Sequence, residues 1–197
     1  MIVKEAEFII SSTDVAKCPK TVLPEYAFIG RSNVGKSSMI NMITGNGSLA
    51  KVSGKPGKTR LINHFLINKE WYLVDLPGYG YAHASKTDRD KWEKFIRKYL
   101  SSRKNLYCIF LLIDSRVEPQ KNDLSFMEWL GEYQIPFVLV FTKTDKLNKS
   151  EFESFRSNYS EKLLESWEEL PAMFVTSSQT GLGKDEILDF IEHVNKT

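Results

Sequence analysis

The stretch that decides the fold is residues 26–37, YAFIGRSNVGKS. Its apolar start at 26–29 predicts a buried strand, and the periodic apolar residues from Lys36 onward predict a helix that ends at Gly45. A strand, a loop bounded by two glycines and a helix are the context that the phosphate-binding pattern GxxxxGK[ST] requires. The simpler alternative is a glycine turn followed by a capped helix. The predicted phosphate-binding residues are Gly30, Arg31, Ser32, Asn33, Val34, Gly35, Lys36 and Ser37.

Each part of this loop has a chemical task. The glycines let backbone amides approach a β-phosphate, and the start of the helix adds the positive end of its dipole. Lys36 is expected to reach the β- and γ-phosphates, and the Ser37 hydroxyl to bind Mg²⁺. The sequence therefore predicts a site for a nucleotide and magnesium.

Strand and helix patterns alternate along the rest of the chain. Strands are predicted at 5–10, 26–29, 61–67, 71–75, 106–113, 137–141 and 172–176, and helices at 36–44, 88–102, 122–133, 149–167 and 184–194. The alternation favours an α/β fold, a mostly parallel sheet with helices on both faces. Only residues 68–70 separate the third and fourth strands, which is room for a hairpin, so we expect one antiparallel edge strand.

Length and composition place limits on the molecule. The chain has 197 residues, 42% of them hydrophobic, and we expect one domain covering residues 1–197. The longest apolar run, 108–113, is too short to span a membrane, and residues 1–10 lack the layout of a signal peptide. With only Cys18, in a polar loop, and Cys108, in a strand pattern, no disulfide framework or CxxC site is expected. We expect a soluble cytoplasmic protein.

Residues 75–78 (DLPG) follow a predicted strand. There Asp75 can hold Mg²⁺ through water, while the Gly78 amide can sense a γ-phosphate. The pattern DxxG is weak alone, because a proline turn also explains it. After a phosphate-binding loop it extends the predicted nucleotide site through Asp75, Leu76, Pro77 and Gly78.

Residues 142–145 (TKTD) follow another strand, at the edge where open α/β sheets bind ligands. The Asp145 carboxylate can accept hydrogen bonds from N1 and N2 of guanine, a donor pair that adenine lacks. The stem of Lys143 can lie along the purine. The alternative is a pair of solvated loop charges. The base-binding candidates are Thr142, Lys143, Thr144 and Asp145, with Thr176, Ser177 and Ser178 offering a backbone amide to guanine O6.

Four segments together resemble the EngB (YsxC/YihA) family of bacterial GTPases, which is related to the translation factors. They are residues 30–38 (GRSNVGKSS), 55–60 (KPGKTR), 75–81 (DLPGYGY) and 142–145 (TKTD). The resemblance covers nearly the whole chain, and KPGKT and DLPGYGYA are its most specific parts. It implies a P-loop GTPase fold, bound GTP or GDP with Mg²⁺, and GTP hydrolysis. It also implies a role in assembling the large ribosomal subunit, with effects on cell division and septation.

The resemblance also assigns Thr59 as the threonine that joins Ser37 on Mg²⁺. Thr59 ends the glycine-rich connection 45–60, a candidate switch loop whose order depends on the nucleotide. The alternative is a threonine that merely leads into a strand. The resemblance adds Gly57, Lys58, Thr59, Arg60 and Leu61 to the nucleotide-binding residues. The predicted catalytic residues are Lys36, Thr59 and Gly78.

Two positions depart from familiar GTPase patterns. Tyr79 stands where Ras-like enzymes carry the glutamine that orients water, so intrinsic hydrolysis is expected to be slow. Activation would come from a partner or from K⁺ held by the Asn33 side chain, as in potassium-dependent relatives. Thr142 replaces the commoner asparagine and lacks an amide to brace the neighbouring loops.

Charge is unevenly distributed although the formal net charge is only +2. Residues 86–104 carry eight basic and three acidic side chains, whereas 151–169 carry six acids. The basic segment can contact RNA phosphates, with Tyr79, Tyr81 and Trp92 stacking on bases. The alternative is a solvated helix whose aromatic residues face the core. The resemblance favours ribosomal RNA of the large subunit as partner; we expect no membrane partner and a monomer.

Three functions remain open from the sequence. The first is a GTP-hydrolysing switch in ribosome assembly, and the second is a nucleotide-gated scaffold that acts directly on cell-division proteins. The third, a kinase with the same phosphate loop, is disfavoured because it leaves residues 142–145 without a purpose.

Overall fold

The computed structural model describes residues 1–51, 61–79 and 86–197. Its strands form at the apolar runs, and its helices form where apolar residues recur with helical spacing. The strands are β1 (Ala6–Ser12), β2 (Glu25–Gly30), β3 (Ile62–Ile67), β4 (Trp71–Asp75), β5 (Leu106–Asp114), β6 (Phe137–Thr142) and β7 (Met173–Val175). The helices are α1 (Lys36–Thr44), α2 (Lys86–Ser102), α3 (Lys121–Glu132), α4 (Lys149–Leu164) and α5 (Lys184–Lys196).

The strands form one seven-stranded sheet in the order β1-β3-β4-β2-β5-β6-β7. From β4 to β7 all neighbouring strands pair in parallel. The hairpin strand β3 pairs antiparallel with both β4 and β1, and β1 lies outside it. The predicted mostly parallel sheet with antiparallel pairing at one edge is confirmed.

Helices cover both faces of the sheet, as the sequence predicts. Neighbouring residues of a strand point to opposite faces, so Ala27 and Tyr26 of β2 belong to different apolar clusters. One cluster contains residues of α2, α3 and α4, and the other contains residues of α1 and α5. Because the central strands are buried on both faces, their carboxyl ends are held at fixed positions relative to one another.

Helix ends follow local chemistry. Gly45 ends α1 in the left-handed conformation, with φ of 67°, as predicted. Asn148 and Glu151 form a capping box at the start of α4. The prediction that this helix continues to residue 167 is wrong, since it ends at Leu164 and Trp167 turns back to pack on Phe137 at 5.5 Å.

Cys18 is also more enclosed than its polar sequence neighbours suggest. Its side chain is 3% exposed and belongs to the core cluster on the α2 face. Burial raises the pKa of its thiol. No helix within residues 1–51, 61–79 and 86–197 is long and apolar enough to cross a membrane.

A buried carboxylate lies at the start of β2. Glu25 is fully buried; it accepts hydrogen bonds from Tyr99 Oη at 2.7 Å and Arg103 Nε at 3.0 Å, and His64 Nε2 lies 3.6 Å away. Burial alone would raise the pKa of Glu25, but His64, Arg103 and Tyr99 together lower it to about 2. This network joins β2 and β3 to the end of α2.

Candidate nucleotide-binding site

The phosphate-binding loop connects the end of β2 to the start of α1, as the sequence predicts. A Cβ on Gly30 would lie 2.7 Å from the carbonyl oxygen of Leu112, so only glycine fits between the loop and β5. Gly35 has φ of +103° and precedes Lys36, the first residue of α1. The amides at the start of α1 and its dipole thus face the loop.

Lys36 and Asp75 lie side by side beneath this loop. The Lys36 ammonium contacts Asp75 Oδ1, and Asn63 Nδ2 donates to Asp75 Oδ2 at 3.1 Å. Both charged side chains are buried, at 8% and 3% exposure. Burial lowers the pKa of Lys36 to about 7, and the negative charge of Asp75 beside it favours the protonated amine. The structure therefore brings the predicted phosphate-binding lysine to the predicted magnesium aspartate.

The segment after Asp75 lies along the phosphate-binding loop. Tyr79 N donates to Gly30 O at 3.1 Å, and Ser32 N donates to Tyr79 O at 3.0 Å. A Cβ on Gly78 would lie 3.0 Å from Gly30 O, which explains why the chain is glycine there. Leu76 is fully buried in the core, so only its backbone is left to face a ligand. Pro77 is buried as well.

The Tyr79 ring points into the core. It is 6% exposed and packs against Trp92 at 6.0 Å and Phe126 at 5.6 Å. Burial raises the pKa of its hydroxyl well above the usual value. The prediction that Tyr79 stacks on bases is therefore wrong. Trp92 packs partly against the same core cluster, and Tyr81 lies outside the described residues.

The end of β6 is fastened to the phosphate-binding loop by two side chains. Thr142 Oγ1 donates to Val34 O at 2.7 Å, and Lys143 Nζ donates to Asn33 O at 2.6 Å. Thr142 lacks the amide of the commoner asparagine, and its hydroxyl provides the donor that braces the loops instead. The predicted phosphate and base segments thus form one connected site.

Residues 142–145 and 176–178 are linked as well. The Thr144 amide and hydroxyl both donate to Thr176 O, at 3.3 and 3.0 Å. Ser177 Oγ donates to Asp145 Oδ1 at 2.7 Å, and this bond lowers the pKa of the carboxyl. Ser178 follows and is half-buried. The Ser177 hydroxyl therefore fixes the orientation of the Asp145 carboxylate, the predicted base-binding group.

Four predicted nucleotide contacts lie outside the described residues: Gly57, Lys58, Thr59 and Arg60. Leu61, which follows them, is half-buried and directly precedes β3.

Two further residues of the site, Asp114 and Asn63, lie outside the sequence motifs. Asp114 ends β5 and accepts hydrogen bonds from Lys143 and Arg116, while Asn63 binds Asp75 from β3. The signal for Asp114 was present, since a carboxylate directly after the buried run 106–113 lies at the ligand-binding edge of the sheet. Asn63 lies within a strand pattern, and nothing in the sequence around it marks it as a site residue.

The oxygen atoms at the site fit magnesium. Within the described part of the chain, no group of three or more His, Cys, Asp or Glu side chains could hold a metal ion by itself. Mg²⁺ instead suits a site with few protein oxygens, because it keeps several waters and binds nucleotide phosphates. The Ser37 hydroxyl and the Asp75 carboxylate are hard oxygen donors of this kind.

Comparisons with known proteins agree with this geometry. A family model described as a 50S ribosome-binding GTPase matches residues 25–143. Two curated relatives, each called a probable GTP-binding protein EngB, come from Christiangramia forsetii and Porphyromonas gingivalis. The first is 57% identical over 197 residues and the second 58% over 196, and the alignments cover 100% of this chain and 100% and 98% of the relatives.

A solved structure supports the fold independently. The crystal structure of a probable GTP-binding protein engB superimposes with a TM-score of 0.69 over 87% of this chain and 98% of that one. The sequence identity is 24%, so this likeness concerns the fold. The family match and the full-length relatives decide the assignment: the chain belongs to the EngB family of P-loop GTP-binding proteins.

Proposed function

We propose that this protein is a slowly hydrolysing GTP switch that acts as a cytoplasmic monomer in assembly of the large ribosomal subunit. Through that role it supports normal cell division and septation. The observation that carries the nucleotide part is the Asp145 carboxylate, held by Ser177 in a segment that is hydrogen-bonded to the phosphate-binding loop. The ribosomal part is supported by the match to a family described as a 50S ribosome-binding GTPase.

Each residue of the proposed site has a separate role in nucleotide binding or hydrolysis. Lys36, which contacts Asp75, would bind the β- and γ-phosphates, and Ser37, Thr59 and water-linked Asp75 would hold magnesium. Bound Mg²⁺ offsets the negative charge of the phosphates. The Gly78 amide senses the γ-phosphate. Hydrolysis is slow because the Tyr79 ring is buried and supplies no carboxamide to orient water.

A basic face on α2 is the proposed contact with ribosomal RNA. Lys91, Lys94 and Lys98 are exposed and occupy positions i, i+3 and i+7, so they share one face of the helix. Positive side chains in this arrangement bind phosphates with a strong salt dependence.

Sedimentation with large ribosomal subunits tests this proposal. We expect the protein to co-migrate with the subunit more in a non-hydrolysable GTP analogue than in GDP, and less as salt rises. The double substitution Lys94→Glu and Lys98→Glu should reduce binding by at least about tenfold. Its control is Lys149→Glu with Arg156→Glu, which makes the same charge change on exposed residues of α4.

Two outcomes would contradict the proposal: equal binding in both nucleotides, or an equal loss in the two double variants. Nucleotide-dependent binding to a division protein, without stimulation of turnover by ribosomal particles, would instead support the scaffold hypothesis.

Potassium is the proposed ion at Asn33. This residue is exposed, has φ of 64°, and its carbonyl is occupied by Lys143. If its side-chain oxygen holds K⁺ near the phosphates, GTP hydrolysis without a partner should be at least about tenfold faster in K⁺ than in Na⁺. Asn33→Ala should abolish the difference. Equal wild-type rates in the two salts would exclude K⁺ and leave a partner as the activator.

A further inference from the structure

Asp114 lies where the end of β5 meets the phosphate and base segments. Its Oδ2 accepts a hydrogen bond from Lys143 Nζ at 2.8 Å. Arg116 forms a fork on the same carboxylate, with Nε 2.9 Å from Oδ1 and a terminal nitrogen 2.8 Å from Oδ2. The Asp114 side chain is 14% exposed, so most of the screening by water is removed.

Lys143 is held in a conformation that its own backbone does not favour. Its φ is 59°, in the left-handed region, and Lys has no side-chain group that stabilises this backbone locally. Its Cε lies 3.6 Å from the position that a Cβ on Gly35 would take, so the stem passes directly beside the phosphate-binding loop. Its ammonium is fixed at two points, by the Asn33 carbonyl and by Asp114.

These two contacts differ in kind. The Asn33 carbonyl is neutral, whereas Asp114 provides the full negative charge opposite the Lys143 ammonium. Lys143 also lies close to the start of α1, where the positive end of a helix dipole opposes a cation. Without Asp114, the ammonium would favour bulk water, and the stem would leave the position beside Gly35.

We propose that Asp114 is a positioning residue for nucleotide recognition, which holds the Lys143 ammonium so that the lysine stem is aligned against the purine. The inference rests on the proposed assignment of Lys143 to the guanine site. Asp114 itself does not touch the nucleotide. Burial favours protonation of this carboxyl, but Arg116 and Lys143 outweigh it and lower its pKa to about 2, so the charge persists at neutral pH.

If Asp114 had a purely structural role, it would act through its ion pair with Arg116 instead. The Arg116 side chain is 47% exposed, and exposed ion pairs contribute little. The partner that matters for function is therefore the more enclosed one, Lys143, whose side chain is 26% exposed.

Calorimetric titration with GDP and with a non-hydrolysable GTP analogue, in Mg²⁺, tests the proposal. We expect Asp114→Asn to raise both dissociation constants about tenfold, mainly through faster nucleotide release. Glu118→Gln removes the same charge from an exposed residue of the same connection and should bind like the wild type. Arg116→Ala should also stay within about twofold of the wild type.

A double-mutant cycle separates positioning from stability. In a Lys143→Met background, Asp114→Asn should cause no further loss of affinity, because the side chain that it positions is gone. The melting temperatures of the nucleotide-free variants report on the stability of the fold. The variants that lose nucleotide affinity should not show a matching fall in melting temperature.

Three results would overturn the proposal: Asp114→Asn binding as tightly as Glu118→Gln, Arg116→Ala reproducing the loss, or an undiminished loss in the Lys143→Met background. Failure of the wild type to bind GDP would instead overturn the guanine-site assignment itself, so the two failures are distinguishable.

Discussion

Asp145→Asn is expected to change the preferred base from guanine to xanthine. In the proposed site the carboxylate accepts two hydrogen bonds from guanine, and bonds to a charged group contribute about 1.5–3 kcal/mol each. Affinity for GTP should therefore fall by about 10²–10⁴-fold, while affinity for xanthosine triphosphate should rise because the Asn amide can donate to its 2-oxo group. Competition between the two triphosphates for the purified protein measures the change.

Asp185→Asn is the matched control for this experiment. It makes the same chemical change on an exposed residue in the first turn of α5. It should leave base preference unchanged. If Asp145→Asn also leaves the preference unchanged, residues 142–145 do not recognise the base, and the kinase hypothesis becomes the better one.

Of the substitutions described here, Glu25→Gln is expected to lower the free energy of unfolding most. The substitution keeps the shape of the side chain but leaves the Arg103 guanidinium, 13% exposed, without its counter-charge. Removing one partner of a buried ion pair costs about 3–5 kcal/mol. Urea unfolding at neutral pH should show a loss of about 3 kcal/mol. Glu93→Gln, which breaks the exposed pair with Arg97 on α2, should cost about 0.5 kcal/mol.

The same variant predicts a pH dependence. Glu25 has a pKa of about 2 in the folded protein, below the ordinary value of about 4.3 in the unfolded chain. The stabilisation is therefore fully present above about pH 5 and is lost as the pH falls toward 2. The difference in unfolding free energy between wild type and Glu25→Gln should shrink over this window. A constant difference would show that the carboxylate charge is not what stabilises the fold.

Local patterns predicted the fold well. The buried run at 26–29, the glycine loop after it and the helix from Lys36 appear where they were predicted, because each is determined by neighbouring residues. The outer position of β1 and the pairing of Glu25 with Arg103 depend on contacts between distant parts of the chain. Hydrophobic periodicity carries no information about such contacts.

The site shows the same division between features that local motifs predict and features that depend on distant contacts. The types and order of the motifs predicted which segments would meet. Among the described residues, the structure brings the phosphate-binding loop, residues 75–78 and residues 142–145 together at one edge of the sheet. Tyr79 was misjudged because a phenol suits both a base-stacking surface and a core, and only packing against Trp92 and Phe126 decides between them. Asp114 was missed because its importance comes from Lys143, a residue 29 positions away.

The hydroxyl of Thr142 bears on how GTPases are found in genomes. A search pattern that demands Asn before the lysine of residues 142–145 would pass over this chain, although Thr142 Oγ1 donates to the loop carbonyl of Val34 at 2.7 Å. The physical requirement is a short side-chain donor at that position, and both amide and hydroxyl meet it. A pattern written for donors instead of for one amino acid would therefore recover proteins such as this one, without admitting residues that cannot make the bond.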